Sequence, residues 1–155
     1  MINIHVVLHP TDFSEISERA LPYAIEFAHR YGARLVLLHV LDLPFSAISM
    51  AEEAIVDAQD KLDAMIPGKH RDRLDLVALV KRGDPCEEIC RIAREQRADI
   101  IIIGTHGSGG WRHAILGDTA EKVVRHAPCP VLTIRDPEHG FVDGDGDESE
   151  TSEDE

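Results

Sequence analysis

The sequence predicts a three-layer α/β/α domain in which a five-stranded, mostly parallel sheet is covered by helices on both faces. Short apolar runs alternate with segments of helical period over residues 1–135, a pattern typical of parallel strands joined by crossover helices. The apolar runs are continuous rather than alternating, as expected for strands buried on both sides. At 155 residues the chain is long enough for one domain with a sizeable core and too short for two ordinary domains.

Two predicted strand–helix units make up the first half of the chain. Ile4–Leu8 is an apolar strand, and the helix that follows it ends at Gly32, a typical C-terminal stop. Pro22 lies inside this helical pattern and predicts a kink or a late start. Ala33–Leu41 is the second strand, and the next helix ends at Pro67-Gly68. The apolar positions are Ala20, Leu21, Ala24, Ile25 and Ala28 in the first helix and Ile48, Ala51, Ile55, Ala58, Leu62 and Met65 in the second.

The second half continues the alternation. Leu74–Val80, Ile100–Ile103 and Val131–Ile134 are the third, fourth and fifth predicted strands. Between the first two of these, Asp84-Pro85-Cys86-Glu87 reads as a helix N-cap, a proline at the first helical position and an early acidic residue. The inward positions are Cys86, Ile89, Cys90 and Ala93 in the third helix and Ala120, Val123, Val124 and Ala127 in the fourth.

The charge is concentrated at the C-terminal end. The net charge of the chain is −13, but ten Asp and Glu residues and no Lys or Arg follow Arg135. Residues 1–135 therefore carry 19 acidic and 16 basic residues, a net charge of −3, and no basic stripe that would favour nucleic-acid binding. We expect one domain over residues 1–136 and a disordered acidic tail over residues 137–155. Asp143, Asp145 and Asp147 mimic the start of a calcium loop, but Glu148 stands where the loop needs glycine.

Nothing in the sequence indicates a membrane span or a signal peptide, and we expect no membrane partner. The three cysteines are an odd number without a disulfide pattern, which favours a reducing, cytoplasmic setting. Cys86 and Cys90 have a helical spacing that would suit zinc, but their apolar neighbours favour core packing. We therefore predict no metal site.

The sites with the most suggestive chemistry follow the first and fourth strands. Ligands of doubly wound sheets bind beyond the carboxyl ends of the strands, where the strand order reverses. The predicted loops there are Pro10–Asp12 and Gly104–Gly117. The second loop has glycines at 104, 107 and 117 and runs into a helix, an arrangement that can hold phosphate through backbone N–H groups and the helix dipole. It is not a P-loop, because it contains no lysine.

Several motifs in the same order give the chain a resemblance to the universal stress proteins of the UspA type, over residues 1–135. The similar segments are Val7–Ser14, Leu38–Val40, Gly83–Pro85, the Gly-x2-Gly-x9-Gly loop and Ala120–Leu132. The resemblance implies a Rossmann-like fold with strand order 3-2-1-4-5 and a homodimer formed partly through the last strand. The family that this chain resembles has two branches, one that binds ATP and one that binds no nucleotide. The glycine loop of this chain is similar to that of the ATP-binding branch.

The same resemblance implies roles for individual residues. Asp12, which follows Pro10 and Thr11, would contact the ribose or base, and Val40 would contact adenine through its backbone. Gly104, Gly107 and Gly117 would line the phosphates. The ATP-binding members have Ser or Thr after the last glycine, whereas this chain has Asp118, with Thr119 one position later. The implied ligand is ATP, with ADP and AMP as alternatives.

The carboxylate of Asp118 opposes a phosphate, because it only accepts hydrogen bonds and carries a like charge. At about 4 Å and an effective dielectric constant near 20, two like charges repel by roughly 4 kcal/mol. Three arrangements would relieve this: a bridging Mg²⁺, a hydroxyl supplied by Thr119, or an Asp118 that turns away to cap the fourth helix, with Glu121 completing a capping box. Helix capping is the interpretation that needs no ligand.

Other polar residues have ordinary interpretations. Asp12 is of the type that forms turns, and only its position opposite the glycine loop favours binding. Ser14 is expected to cap a helix rather than act as a nucleophile, since no strained turn and no paired base surround it. His106 and His113, in or beside the glycine loop, are expected to be solvent-exposed.

We therefore expect a dimeric ATP-binding regulatory module of the universal stress type, acting in a stress response. Efficient catalysis is not expected, because no general base has an activating partner; ATP hydrolysis would be slow and incidental. The alternative is an interaction protein of the same fold with an empty pocket, which acts through its dimer surface and its acidic tail. A true hydrolase is a weaker third interpretation.

Overall fold

The computed structural model describes residues 1–44, 46, 48–105 and 116–135. Gly107, His106, His113 and the predicted tail lie outside the described residues. Within them the elements follow in chain order as β1 (Val6–Pro10), α1 (Glu15–Tyr31), β2 (Arg34–Leu41), α2 (Ile48–Met65), α3 (Gly68–Arg71), β3 (Leu76–Arg82), α4 (Pro85–Glu95), β4 (Ile100–Gly104), α5 (Asp118–His126) and β5 (Val131–Ile134).

The five strands form one sheet in the order β3-β2-β1-β4-β5, and all four neighbouring pairs are parallel. The predicted fold class and strand order are therefore confirmed. Strands β1 and β3 were each predicted two residues too early. Their predicted C-terminal ends fall short because the apolar runs end before the strands do. Pro10 still pairs with Leu38, and Arg82 still pairs with Leu41. Backbone pairing in a parallel sheet continues through such residues as long as the neighbouring strand is present.

Alternate strand residues point to two separate apolar clusters, one on each face of the sheet. Val7 and Leu35 face the cluster beneath α1 and α2, whereas Leu8 and Val36 face the cluster beneath α4 and α5. Both clusters are built from fully buried strand residues and from small or branched helix residues. The α1-side cluster includes Ala20, Ala24, Ala28, Leu37, Leu62 and Ile102, and the α5-side cluster includes Leu38, Ile89, Ile92, Ile101, Ala120 and Val123.

The helix ends follow the predicted signals. The hydroxyl of Ser14 accepts a hydrogen bond from the Ser17 N–H, so Ser14 is the N-cap of α1. Gly32 ends α1 in the left-handed region at φ 60°, and the Asp84 carboxylate caps α4 by accepting from the Glu87 N–H at 2.9 Å. The late start predicted from Pro22 is wrong. α1 begins at Glu15 and continues through Pro22, because the Ser14 cap fixes its first turn.

Two expectations about packing fail at the margins of the sheet. Ile55 and Val124, predicted to face inward, are 38% and 48% exposed. Both belong to helices that pack on edge strands, since α2 packs on β3 and α5 packs on β5. An edge strand covers only part of a helix face.

Pro67 ends α2 as predicted, but it also precedes a short helix, α3, which was not predicted.

One polar residue, His9, lies entirely inside the α1 side of the sheet. Its Nδ1 atom is 2.8 Å from the carbonyl oxygen of Ile102, and a carbonyl only accepts, so Nδ1 carries the proton. Burial lowers the pKa of His9 to about 4, well below its ordinary value of 6.5. The imidazole is therefore neutral at pH 7.

We expect His9 to make the protein less stable as the pH falls from about 6.5 towards 4. The unfolded chain takes up a proton near pH 6.5 and the folded chain only near pH 4, so acid favours unfolding in this window. The loss by pH 4.5 is roughly 2–3 kcal/mol. Urea unfolding of the wild type and of His9→Asn at several pH values measures it, and the variant should show a shallower decline. Parallel curves for the two proteins would contradict this assignment.

Candidate functional site

The candidate site lies beyond the carboxyl ends of β1 and β4. β1 is the middle strand, with β2 on one side and β4 on the other, so the chain reverses its direction of travel across the sheet at this point. α1, which follows β1, and α5, which follows β4, lie on opposite faces of the sheet, and doubly wound sheets bind their ligands where the chain reverses in this way. The described residues at the start of each predicted loop, Pro10–Asp12 and Gly104–Thr105, thus lie at one edge of the sheet.

The loop after β1 is held by its own side chains. The Thr11 N–H donates to the Leu38 carbonyl at 2.8 Å, and the Thr11 hydroxyl accepts from the Phe13 N–H at 3.1 Å. One carboxylate oxygen of Asp12 accepts from the Ser14 N–H at 3.0 Å and from the Ser17 hydroxyl at 2.8 Å. These bonds hold Phe13 at φ 62°, a conformation rare for an aromatic residue.

Asp12 therefore shapes the turn and braces the start of α1, as its residue type predicts. Its side chain is exposed, and a contact with a nucleotide stays a proposal.

The end of β2 is fixed against this loop. His39 Nδ1 is 2.8 Å from the Thr11 carbonyl oxygen and donates to it, and the His39 ring stacks on Phe13 with centroids 4.4 Å apart. Val40, the next residue, is half-buried against the α5-side cluster. Thr11 and Val40, which the sequence placed at one site, are thus neighbours across β1 and β2.

Gly104, at the end of β4, has a packing reason to be glycine. A Cβ atom at this position would lie 2.9 Å from the Ile16 carbonyl oxygen and 3.2 Å from the Ser17 nitrogen. The first turn of α1 therefore packs directly on the backbone of β4, which only glycine permits. Sequence reasoning assigned Gly104 to phosphate and did not find this contact.

Gly117 is the N-cap of α5, and its N–H donates to the Thr105 carbonyl. This hydrogen bond joins the two ends of the segment between β4 and α5. It brings Gly117 next to Thr105, the residue that follows Gly104. Thr119 lies in the first turn of α5, half-buried.

The predicted capping role of Asp118 is wrong. Asp118 is the first residue of α5 rather than its N-cap, and its carboxylate lies 2.9 Å from the Lys122 ammonium one turn later. From the first position of the helix the Asp118 side chain instead reaches position i+4. Glu121 likewise pairs with Arg125 at 2.8 Å instead of closing a capping box. The Asp118 carboxylate raises the pKa of Lys122, which keeps this lysine charged.

As a result, the N-terminus of α5 has no side-chain cap. The first intrahelical bond is donated by the Glu121 N–H to the Gly117 carbonyl at 2.9 Å, so the amides of Asp118, Thr119 and Ala120 precede the helical ladder. Amides in this position attract anions, and the helix dipole adds to the attraction. The ion pair with Lys122 offsets the charge of Asp118 at the same end.

The remaining reactive groups do not form a second site. Cys86 and Cys90 are buried, and burial raises the pKa of the Cys86 thiol to about 11, so it stays protonated and unreactive. In the part of the chain that the structure describes, no group of three or more His, Cys, Asp or Glu could hold a metal ion. The described helices are too short or too polar to cross a membrane.

Comparison with known proteins identifies the fold family. Residues 3–135 match the model of the universal stress protein family. A universal stress protein of Thermus aquaticus is 33% identical over 137 residues, which cover 83% of this chain and 97% of that protein. The solved structure of MJ0577, a universal stress protein of Methanocaldococcus jannaschii, is 28% identical with a TM-score of 0.78 and covers 89% of this chain and 100% of that one.

Two more distant structures contain nucleotides. A universal stress protein solved in complex with cAMP is 22% identical with a TM-score of 0.64, and one from Archaeoglobus fulgidus in complex with dAMP is 24% identical with a TM-score of 0.57. Each match covers 86% of this chain and 98% of the other. At this identity the two structures show a shared fold.

The Gly104 contact predicts a large effect of one added methyl group. Gly104→Ala forces the Ile16 carbonyl and α1 to move, and we expect a loss of about 1–3 kcal/mol in the free energy of unfolding. Gly68→Ala is the matched control, because a Cβ there meets nothing within 4 Å. Urea unfolding of the three proteins measures the difference. Equal stability of Gly104→Ala and the wild type would show that α1 does not pack on β4 as described.

Proposed function

The chain belongs to the universal stress protein family, and from this premise we propose that it is an adenine nucleotide-binding, dimeric regulatory module in a stress response. The observation that carries the proposal is that the N-terminus of α5, which follows β4 at the reversal point of the sheet, has no side-chain cap. A phosphate group would complete this helix end. The family members that hold cAMP and dAMP support an adenine nucleotide as the ligand.

Different residues would contact different parts of the nucleotide. Asp12, with Pro10 and Thr11, would contact the ribose or base, and the backbone of Val40 would contact adenine. The phosphates would lie against Gly104, Gly107 and Gly117 and the first-turn amides of α5, which include those of Asp118 and Thr119. Asp118 is the residue that would hold Mg²⁺, since a carboxylate supplies the hard oxygen ligands that this ion prefers.

The Asp118–Lys122 pair sets how many phosphates the site tolerates. The ion pair is a neutral unit, and both side chains are more than half exposed, so water and salt weaken the field of each charge. The carboxylate still offers no donor to a phosphate oxygen. We therefore propose that the site holds the first phosphate more firmly than the terminal phosphate of ATP, and that ATP, ADP and AMP bind with similar affinities.

Asp118→Ser should increase the affinity for ATP by roughly tenfold, about 1.4 kcal/mol, because it removes a negative charge and adds a hydroxyl donor. The affinity for adenosine should not change. Calorimetric titration with and without Mg²⁺ measures both. Asp63→Ser, which removes an exposed carboxylate from α2, controls for net charge. If Asp118→Ser and the wild type bind ATP equally, residue 118 does not meet the phosphates.

A second candidate function is that of an interaction protein with an empty pocket. It is favoured by one observation: the Gly117 N–H already has a partner in the Thr105 carbonyl. A protein of this kind would act through its dimer surface and the acidic residues after Arg135. The absence of binding heat with millimolar ATP, ADP and AMP would favour it over the nucleotide site. No catalytic step is proposed for either function.

The dimer is proposed to form through the free edge of β5. This strand pairs with β4 alone within the described part of the sheet, and α5, which carries the half-exposed Val124, packs on it. The carbonyls of Pro130 and Ile134 accept from β4, so the even-numbered residues bond to β4 and the N–H of Thr133 points outward. An outward edge of this kind can pair with a second subunit.

Thr133→Pro should convert the proposed dimer into a folded monomer, because it removes an outward donor and leaves the bonds to β4 in place. Val124→Lys should act in the same direction by placing a charge on the apolar surface beside the edge. Analytical ultracentrifugation at micromolar concentration reports the mass, and circular dichroism confirms the fold. A wild-type protein that sediments as a monomer would rule out this interface.

A further inference from the structure

Thr105 is the first residue after β4, and its backbone is fixed on both sides. Its N–H donates to the Ile134 carbonyl at 3.0 Å, which extends the pairing of β4 with β5 by one residue. Its carbonyl accepts from the Gly117 N–H. The direction of the Thr105 side chain is therefore set by the strand and not by an independent loop.

The alternation along β4 places this side chain on the α5 side of the sheet. Ile103 belongs to the α5-side cluster, and a Cβ on Gly104 would point at α1 on the other face. In an extended segment the next residue returns to the first face. Thr105 thus faces the same side as α5, whose uncapped N-terminus begins next to its own carbonyl.

The Thr105 hydroxyl is buried without a hydrogen-bond partner. The residue is 1% exposed, and its Oγ1 atom is one of two buried side-chain polar atoms among the described residues that lack a partner. The other, His9 Nε2, belongs to the α1 face of the sheet. A buried polar group left unpaired costs about 1–3 kcal/mol, whereas valine would fill the same space without that loss. The hydroxyl needs a partner that binding would bring.

We propose that the Thr105 hydroxyl donates a hydrogen bond to a phosphate oxygen of the bound nucleotide, and that it supplies the donor that position 118 lacks. The inference rests on the proposed nucleotide binding. A neutral hydroxyl can donate where the Asp118 carboxylate only accepts. Thr105 is thus a second phosphate contact, placed at the start of the glycine loop, as Asp118 is placed at its end.

The test uses Thr105→Val, which keeps the shape of the side chain and removes the hydroxyl. We expect its affinity for ATP to fall about tenfold and its affinity for adenosine, which has no phosphate, to stay the same. The ligand-free variant should be as stable as the wild type or more stable, because the unpaired hydroxyl is gone. Thr105→Ser should keep the ATP affinity. Thr151→Val, which makes the same change in the acidic segment after Arg135, is the control.

Calorimetric titration and urea unfolding of the full chain separate the outcomes. If the wild type binds ATP and Thr105→Val binds it equally well, the role of Thr105 is overturned and the nucleotide site stands. An equal loss for ATP and adenosine would also overturn it, since the hydroxyl would then support the pocket and not the phosphate. If the wild type binds neither ATP nor adenosine, the proposed function itself fails, and this inference fails with it.

Discussion

Burial of the middle strand on both faces and along both edges is the constraint on which the structure depends. β1 is short, yet Val7 and Leu8 have no exposed surface and lie in opposite apolar clusters. Such a strand needs helices above and below and a partner strand on each side. The chain meets this need by crossing first towards β2 and β3 and then towards β4 and β5. The reversal that completes the core also sets the place of the candidate site, at the carboxyl ends of β1 and β4.

The same packing decides what the site residues can do. Because α1 packs on the backbone of Gly104, the loop after β1 and the loop after β4 are held together at their bases. Asp12 and Thr11 use their side chains to shape the first loop, and the bond from Gly117 to Thr105 closes the second. The backbone on each side of the candidate site is therefore fixed, and the first-turn amides of α5 remain outside the helical hydrogen bonds. The negative charge of Asp118 at this helix end is balanced by Lys122, one turn later in the same helix.

Local patterns were sufficient to predict most of the fold. The strands, the Ser14 and Asp84 caps and the Gly32 stop depend on neighbouring residues, and all are present. The strand order came from a resemblance and not from periodicity, because pairing between strands is not encoded locally. The predicted ends of β1 and β3 were wrong because strand pairing is not encoded locally. Pairing with a neighbouring strand extends each of them past its apolar run.

The site was harder to predict, because its decisive contacts join distant segments. The pairing of Asp118 with Lys122 could have been read from its i, i+4 spacing. The contact of Gly104 with Ile16 and the unpaired hydroxyl of Thr105 could not, since both depend on how α1 and α5 pack on the sheet. Gly107 lies outside the described residues, and its role stays a prediction.

The most direct test of the central claim is a titration of the ¹⁵N-labelled protein with ATP, followed by amide chemical shifts. If the phosphates bind at the start of α5, the largest shifts should occur at Asp118, Thr119 and Ala120, with smaller shifts at Asp12 and Val40. Titration with adenosine should leave the α5 amides unchanged. Shifts confined to other surfaces, or none at millimolar ATP, would contradict the account.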